Sequence, residues 1–127
     1  MKTGNKQRIL IVEDERALNK SYKRILETAG YSVTTAYNGK EALAAVANEE
    51  PELILLDMEM PVMDGLAFLK AYNLAEHEAV KVMVFSDSDN RKQIDAAYRL
   101  GAAHFVLKTW LSAAALLVIA SNMLLYG

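Results

Sequence analysis

The sequence contains no cysteine, which excludes a disulfide framework, a thiolate metal site and a cysteine nucleophile together. Two prolines and six glycines in 127 residues leave no place for a fibrous or low-complexity tract. Positive charge is not in surplus: fourteen bases face sixteen acids, a net charge of -2, so direct nucleic-acid binding is disfavoured. The opening stretch, Met1 to Arg8, is polar and lacks the apolar run of a secretory signal, which makes a cytoplasmic location the expectation. What is present is apolar: 53% hydrophobic against 24% charged residues, enough for one core in a chain close to the commonest domain size. A single domain over residues 1–127 is expected.

Five short apolar runs rich in β-branched residues read as strands: Ile9 to Val12, Tyr31 to Ala36, Leu53 to Leu56, Val80 to Phe85 and His104 to Leu107. Helical patterns separate them and a fifth follows, so a βα unit recurs five times, which predicts a parallel sheet with helices on both faces. Leu18, Tyr22, Ile25, Leu26 and Ala29 share one helical face, and Gly30 follows as a stop. Asn38 with Glu41 three residues on predicts a capped second helix to about Asn48. Asp64 and Gly65 open a third to about Asn73, and Asp89 and Asn90 open a fourth that stops at Gly101.

The last helical stretch differs, because no charged residue occurs from Thr109 to Gly127 and apolar side chains surround the whole circumference. A helix lying on a sheet needs only one apolar face. From Trp110 to Tyr126 the run is short for a membrane span and includes four alanines, two serines and an asparagine, so a face that covers a partner is expected instead of a membrane segment.

In an open parallel sheet the reactive groups lie beyond the carboxyl ends of the strands. Glu13 and Asp14 follow the first strand, Asp57 the third, Ser86 the fourth and Lys108 the fifth. Singly, each has an ordinary explanation: anions at a helix start, a turn aspartate, a capping serine, a solvated lysine. As a set they converge. Two carboxylates about 4 Å apart repel by roughly 4 kcal/mol at an effective dielectric of 20, so the cluster calls for a cation or protons. A hard ion such as Mg²⁺ suits oxygen ligands and commonly bridges carboxylates to a phosphoryl group, where Lys108 and Ser86 supply a point charge and a donor.

These residues resemble the receiver domains of two-component response regulators over nearly the whole chain. The resemblance rests on ILIVEDE, on LILLDMEMPVMDG with Asp57, Pro61, Asp64 and Gly65, on Ser86 after VMVF, and on GAAHFVLK ending at Lys108. It implies a doubly wound, flavodoxin-like (βα)5 fold with strand order 2-1-3-4-5. It further implies a phosphoprotein in which Asp57 takes a phosphoryl group from a phosphohistidine on a sensor kinase or phosphotransfer protein. Mg²⁺ would be held by Asp14, Asp57 and the backbone carbonyl of Glu59, with Glu13 acting through a water, and Lys108 would pair with a phosphoryl oxygen. Ser86 would then move toward that group and Phe105 turn inward, reshaping a docking face on the fourth helix, fifth strand and fifth helix for a second copy or a downstream protein. Phe105 also reads as an ordinary core phenylalanine.

Two positions depart from the family's pattern. Asp87 stands where a small residue is usual and adds a fourth acid unless it turns to solvent; Thr109 replaces the proline after the lysine, so a trans bond is expected there. Alternative readings are a degenerate receiver that binds proteins without phosphorylation, and a Mg²⁺-dependent phosphatase, which the place of Asp57 on the third strand disfavours. No turnover of external substrate and no output domain are expected. Lone His77, between Glu76 and Glu78, reads as a solvated surface residue, and Met58, Met60 and Met63 as packing for the loop after Asp57.

Overall fold

A computed structural model describes residues 6–126; the start of the polar opening stretch and Gly127 lie outside the described residues. The five strands are β1 (Arg8–Val12), β2 (Ser32–Ala36), β3 (Leu53–Asp57), β4 (Lys81–Ser86) and β5 (His104–Leu107). The helices are α1 (Arg16–Thr28), α2 (Gly39–Asn48), α3 (Gly65–Tyr72), α4 (Arg91–Arg99) and α5 (Ala113–Tyr126). All four pairings are parallel, and the order is β2-β1-β3-β4-β5. The chain winds in both directions from β1, which brings the carboxyl ends of β1 and β3 side by side.

The central strands are apolar on both faces because both faces are covered. Leu10, Val12, Ile54, Leu56, Val82 and Val84 point into one layer with Ala42, Phe68 and Ala97 of α2, α3 and α4. Ile9, Ile11, Leu53, Leu55, Met83 and Phe85 point into the other, with Tyr22 and Leu26 of α1 and Leu116 and Ala120 of α5. The expected caps form: Asn38 Oδ1 accepts from the Glu41 amide at 2.9 Å, Asp64 Oδ1 from Ala67 at 2.9 Å and Asn90 Oδ1 from Gln93 at 3.1 Å.

One polar residue sits inside the buried stripe of α1. Asn19 is 1% exposed, and its Nδ2 donates to the carbonyls of Glu13 at 2.9 Å and Ala36 at 3.1 Å. It ties the ends of β1 and β2 to the helix and fixes the turn from which Glu13 projects. His77 departs from expectation: it stacks on Tyr72 with ring centroids 4.0 Å apart, and its Nδ1 lies 3.0 Å from Glu50 Oε2.

The uncharged C-terminal stretch is also shorter as a helix than its composition suggests. A 3₁₀ turn occupies Lys108–Trp110, and α5 starts only at Ala113, where the Ser112 hydroxyl accepts from the Ala115 amide at 3.1 Å. Trp110, Val118, Leu125 and Tyr126 are exposed, while Leu116 and Ala120 are buried and Leu117, Ile119, Met123 and Leu124 pack at the edge of the core. Among the described residues no helix is long and apolar enough to cross a membrane.

Candidate functional site

The site is built where β1, β3 and β5 end. Asp57 is the last residue of β3 and Glu13 the first after β1, and both are fully buried. Lys108 follows β5, and its Nζ lies 2.9 Å from Glu13 Oε1 and 3.1 Å from Asp57 Oδ2. Asp14, beside them, is exposed. Glu13, Asp14 and Asp57 can each offer an oxygen within 4.8 Å of the others. Three carboxylates thus face one ammonium.

The loop after β3 folds back tightly over this cluster. The Gly65 amide donates to the Met58 carbonyl at 3.1 Å, and a Cβ at Gly65 would lie 2.6 Å from the Asp57 carbonyl oxygen, so no larger residue fits without moving the strand end. Met58 is buried, with Met60 and Met63 packed against the core, as expected of this loop. The Met63 amide bonds the Pro61 carbonyl at 2.7 Å, which closes a γ-turn on Val62, whose φ is +69°. A β-branched residue is poorly accommodated there. Val62→Gly is expected to stabilise the protein by about 1 kcal/mol, the relieved strain exceeding the entropy cost of glycine, and to raise the melting temperature by about 4 °C. An unchanged melting temperature would mean that this turn stores no strain.

Burial and the neighbouring Glu13 charge push the Asp57 carboxyl up to about 8, against the opposing pull of Lys108. Burial also raises Glu13, partly offset by the Glu15 amide, which donates to its Oε2 at 2.9 Å, and by Lys108. For Lys108, burial favours the neutral form, but the two carboxylates outweigh it and hold the ammonium charged, above its usual value. With three carboxylates against one ammonium, the cluster is an anionic hollow short of positive charge. The donor set, oxygen only, fits a hard divalent cation.

Asp57 Oδ1 also accepts from the Glu59 amide at 3.2 Å. Ser86, at the end of β4, is 1% exposed and points elsewhere: its hydroxyl lies 2.6 and 2.8 Å from the two oxygens of the Glu59 carboxylate and accepts from the Ser88 amide at 3.1 Å. The structure therefore gathers Glu13, Asp14, Asp57 and Lys108, and pairs Ser86 with the side chain of Glu59. Phe105 is half-buried on β5, apart from the acids. With Asp89, His104, Trp110, Ala115 and Ile119 it lines a surface cavity of about 490 Å³. Asp87 and Thr109 are exposed, and no described peptide bond is cis. Sequence reasoning missed Asn19, which carried a signal, a lone amide in an apolar stripe; it expected Glu59 at the site through its backbone carbonyl, but not the bond of its side chain to Ser86, which depends on how the loop folds.

Residues 9–120 match the response regulator receiver domain family. The chain belongs to that family. Among curated relatives, the receiver is 34% identical over 101 residues to the response regulator MprA of Mycolicibacterium vanbaalenii, covering 80% of this chain and 43% of that one. It is 36% identical over 103 residues to a protein-glutamate methylesterase/protein-glutamine glutaminase of Methanococcoides burtonii, covering 78% of this chain and 29% of the relative. The receiver thus spans less than half the length of these relatives. Among solved structures it superposes on a CheY-like receiver domain protein of Methanospirillum hungatei with a TM-score of 0.89 and 29% identity, covering 94% of both chains. The receiver domain of NtrX from Brucella abortus gives 0.83 and 30%, covering 94% of this chain and 99% of that one.

Proposed function

We propose that this receiver accepts a phosphoryl group on Asp57 and uses it to switch a protein-docking face. The observation that supports this most directly is the buried Asp57 carboxylate held by Lys108 Nζ at 3.1 Å beside two further acids. In the proposed reaction an Asp57 oxygen attacks phosphorus, and the bond to the donor's histidine nitrogen breaks with its electron pair leaving on that nitrogen. Lys108 is in reach of the Asp57 carboxylate and is kept charged, so it can hold an anionic oxygen of the transferred group. Glu13, Asp14, Asp57 and the Glu59 backbone carbonyl would hold Mg²⁺, which when bound supplies charge neutralisation for carboxylates and phosphoryl oxygens together.

The donor is a sensor histidine kinase or a phosphotransfer protein, and Asp57 is restored by hydrolysis of its own phosphoryl group, with no other substrate turned over. Ser86 and Phe105 carry the switch to the face formed by α4, β5 and α5, which presents exposed Tyr98, Trp110 and Val118 to a second copy or a downstream protein. This work would be done in the cytoplasm. The degenerate, phosphorylation-independent reading drew its strength from Asp87, and the exposure of Asp87 weakens it.

The test is mass measurement after incubation with Mg²⁺ and acetyl phosphate. One added phosphoryl group is expected, lost without Mg²⁺ and absent in Asp57→Asn. Unchanged mass with every small donor and with a phosphorylated kinase would overturn the proposal.

A further inference from the structure

The hydroxyl of Ser86 has one proton to donate, and it donates it in a hydrogen bond to the Glu59 carboxylate. Both Glu59 oxygens lie within 2.8 Å of Ser86 Oγ, while the Glu59 amide donates to Asp57 Oδ1 at 3.2 Å. One residue therefore grips the nucleophile through its backbone and the serine through its side chain. The serine is buried, whereas Glu59 lies at the exposed surface, where its carboxylate can swing into solvent and release the hydroxyl. A hydroxyl that donates to Glu59 cannot donate to an anion on Asp57 at the same time.

We infer that Glu59 is a positioning residue that clamps the Ser86 hydroxyl in the resting state. The inference rests on the phosphoacceptor reading given above. Any anion arriving on Asp57 must first displace the clamp, and its own negative charge helps by repelling the Glu59 carboxylate outward. The clamp thus lowers the population of the anion-ready state, and the apparent affinity for a phosphoryl-like ligand falls by the same factor.

Removing Glu59 also removes a charge near an anion site, so the test must separate that field from the hydrogen bond. Glu59→Gln removes the charge but keeps an amide oxygen that can accept from Ser86; Glu59→Ala removes both. The measurement is the apparent affinity of the whole chain for beryllofluoride in Mg²⁺, followed by two-dimensional amide NMR, for both variants and for both combined with Ser86→Ala. Glu59→Ala is expected to bind about fivefold tighter than Glu59→Gln when Ser86 is present, the worth of one hydrogen bond, and equally when it is replaced. The same Ala-to-Gln ratio in both backgrounds overturns the clamp and leaves only a charge effect.

A second readout needs no anion. The Ser88 amide donates to Ser86 Oγ at 3.1 Å, so it reports how firmly that oxygen is held. Without Mg²⁺, exchange of the Ser88 amide proton is expected to be faster in Glu59→Ala than in Glu59→Gln. If the parent and every variant ignore beryllofluoride, the phosphoacceptor reading fails, and the Ser88 exchange rates alone decide the clamp: a difference supports it and equal rates overturn it.

Discussion

Lys108→Met is expected to cost the metal-free protein about 3–5 kcal/mol at neutral pH, a fall of roughly 10–20 °C in melting temperature. Methionine keeps much of the aliphatic stem, so the change removes mainly the charge. Among the described residues Lys108 is the cation in ion-pair contact with Glu13 and Asp57, and both carboxylates are fully buried. Removing it leaves two buried acids facing each other, and each is driven further toward the protonated form. The carboxyls are already raised with the lysine in place, by burial first. Without it they should hold their protons to still higher pH, so the cost grows as pH rises above the ordinary carboxylate range and fades on acidification, when both states are protonated. Saturating Mg²⁺ is expected to recover a large part of the loss, because an ion that binds only the folded state stabilises it by mass action. Thermal unfolding at about pH 4 and pH 8, each with and without Mg²⁺, checks all of this; an equal loss at both pH values and no response to Mg²⁺ would mean that packing, not charge, was removed.

How much of this was legible beforehand depends on which interactions each element answers to. The inner strands were readable because sandwiching between two helical layers forces apolar residues at every position, as in Leu53, Ile54, Leu55 and Leu56. β1 ends at Val12 as expected, while β3 and β4 run one residue further, because ladder pairing continues through Asp57 opposite Phe85 and Ser86 opposite Leu107 whatever the side-chain polarity. The approach of Glu13, Asp14 and Asp57 followed from the crossover order alone. The start of α5 was misjudged from hydrophobicity: Trp110 continues an apolar run, yet Ser112 is the residue that caps the helix, and a tight turn places the indole in solvent. The Glu59 carboxylate on Ser86 and the imidazole of His77 on Glu50 were not legible, since each joins segments distant in sequence and set by backbone turns. Polar residues at such loop tips have no periodicity to betray their partners.

Asp57→Asn should have the opposite sign from loss of the lysine. In the unfolded chain Asp57 titrates near its ordinary value of 3.8, and in the folded protein burial and Glu13 raise it to about 8. The folded state therefore binds the extra proton more tightly, and stability falls as pH rises from about 4 to about 8. Asparagine occupies the same space and carries no charge, so the variant escapes this loss. It should match the parent near pH 4 and exceed it by about 2–4 kcal/mol at pH 8 without metal, a value kept below the full linkage figure because Lys108 and Glu13 readjust together. Mg²⁺ should narrow the gap from the parent's side: a ligand at about a hundred times its dissociation constant stabilises by about 2.7 kcal/mol, and the variant has one carboxylate fewer to hold it. Denaturant unfolding across that pH range, with and without Mg²⁺, measures the difference. A variant no more stable than the parent at pH 8 in chelator would mean that Lys108 fully neutralises the cluster, and that a cation has no unfavourable charge left there to relieve.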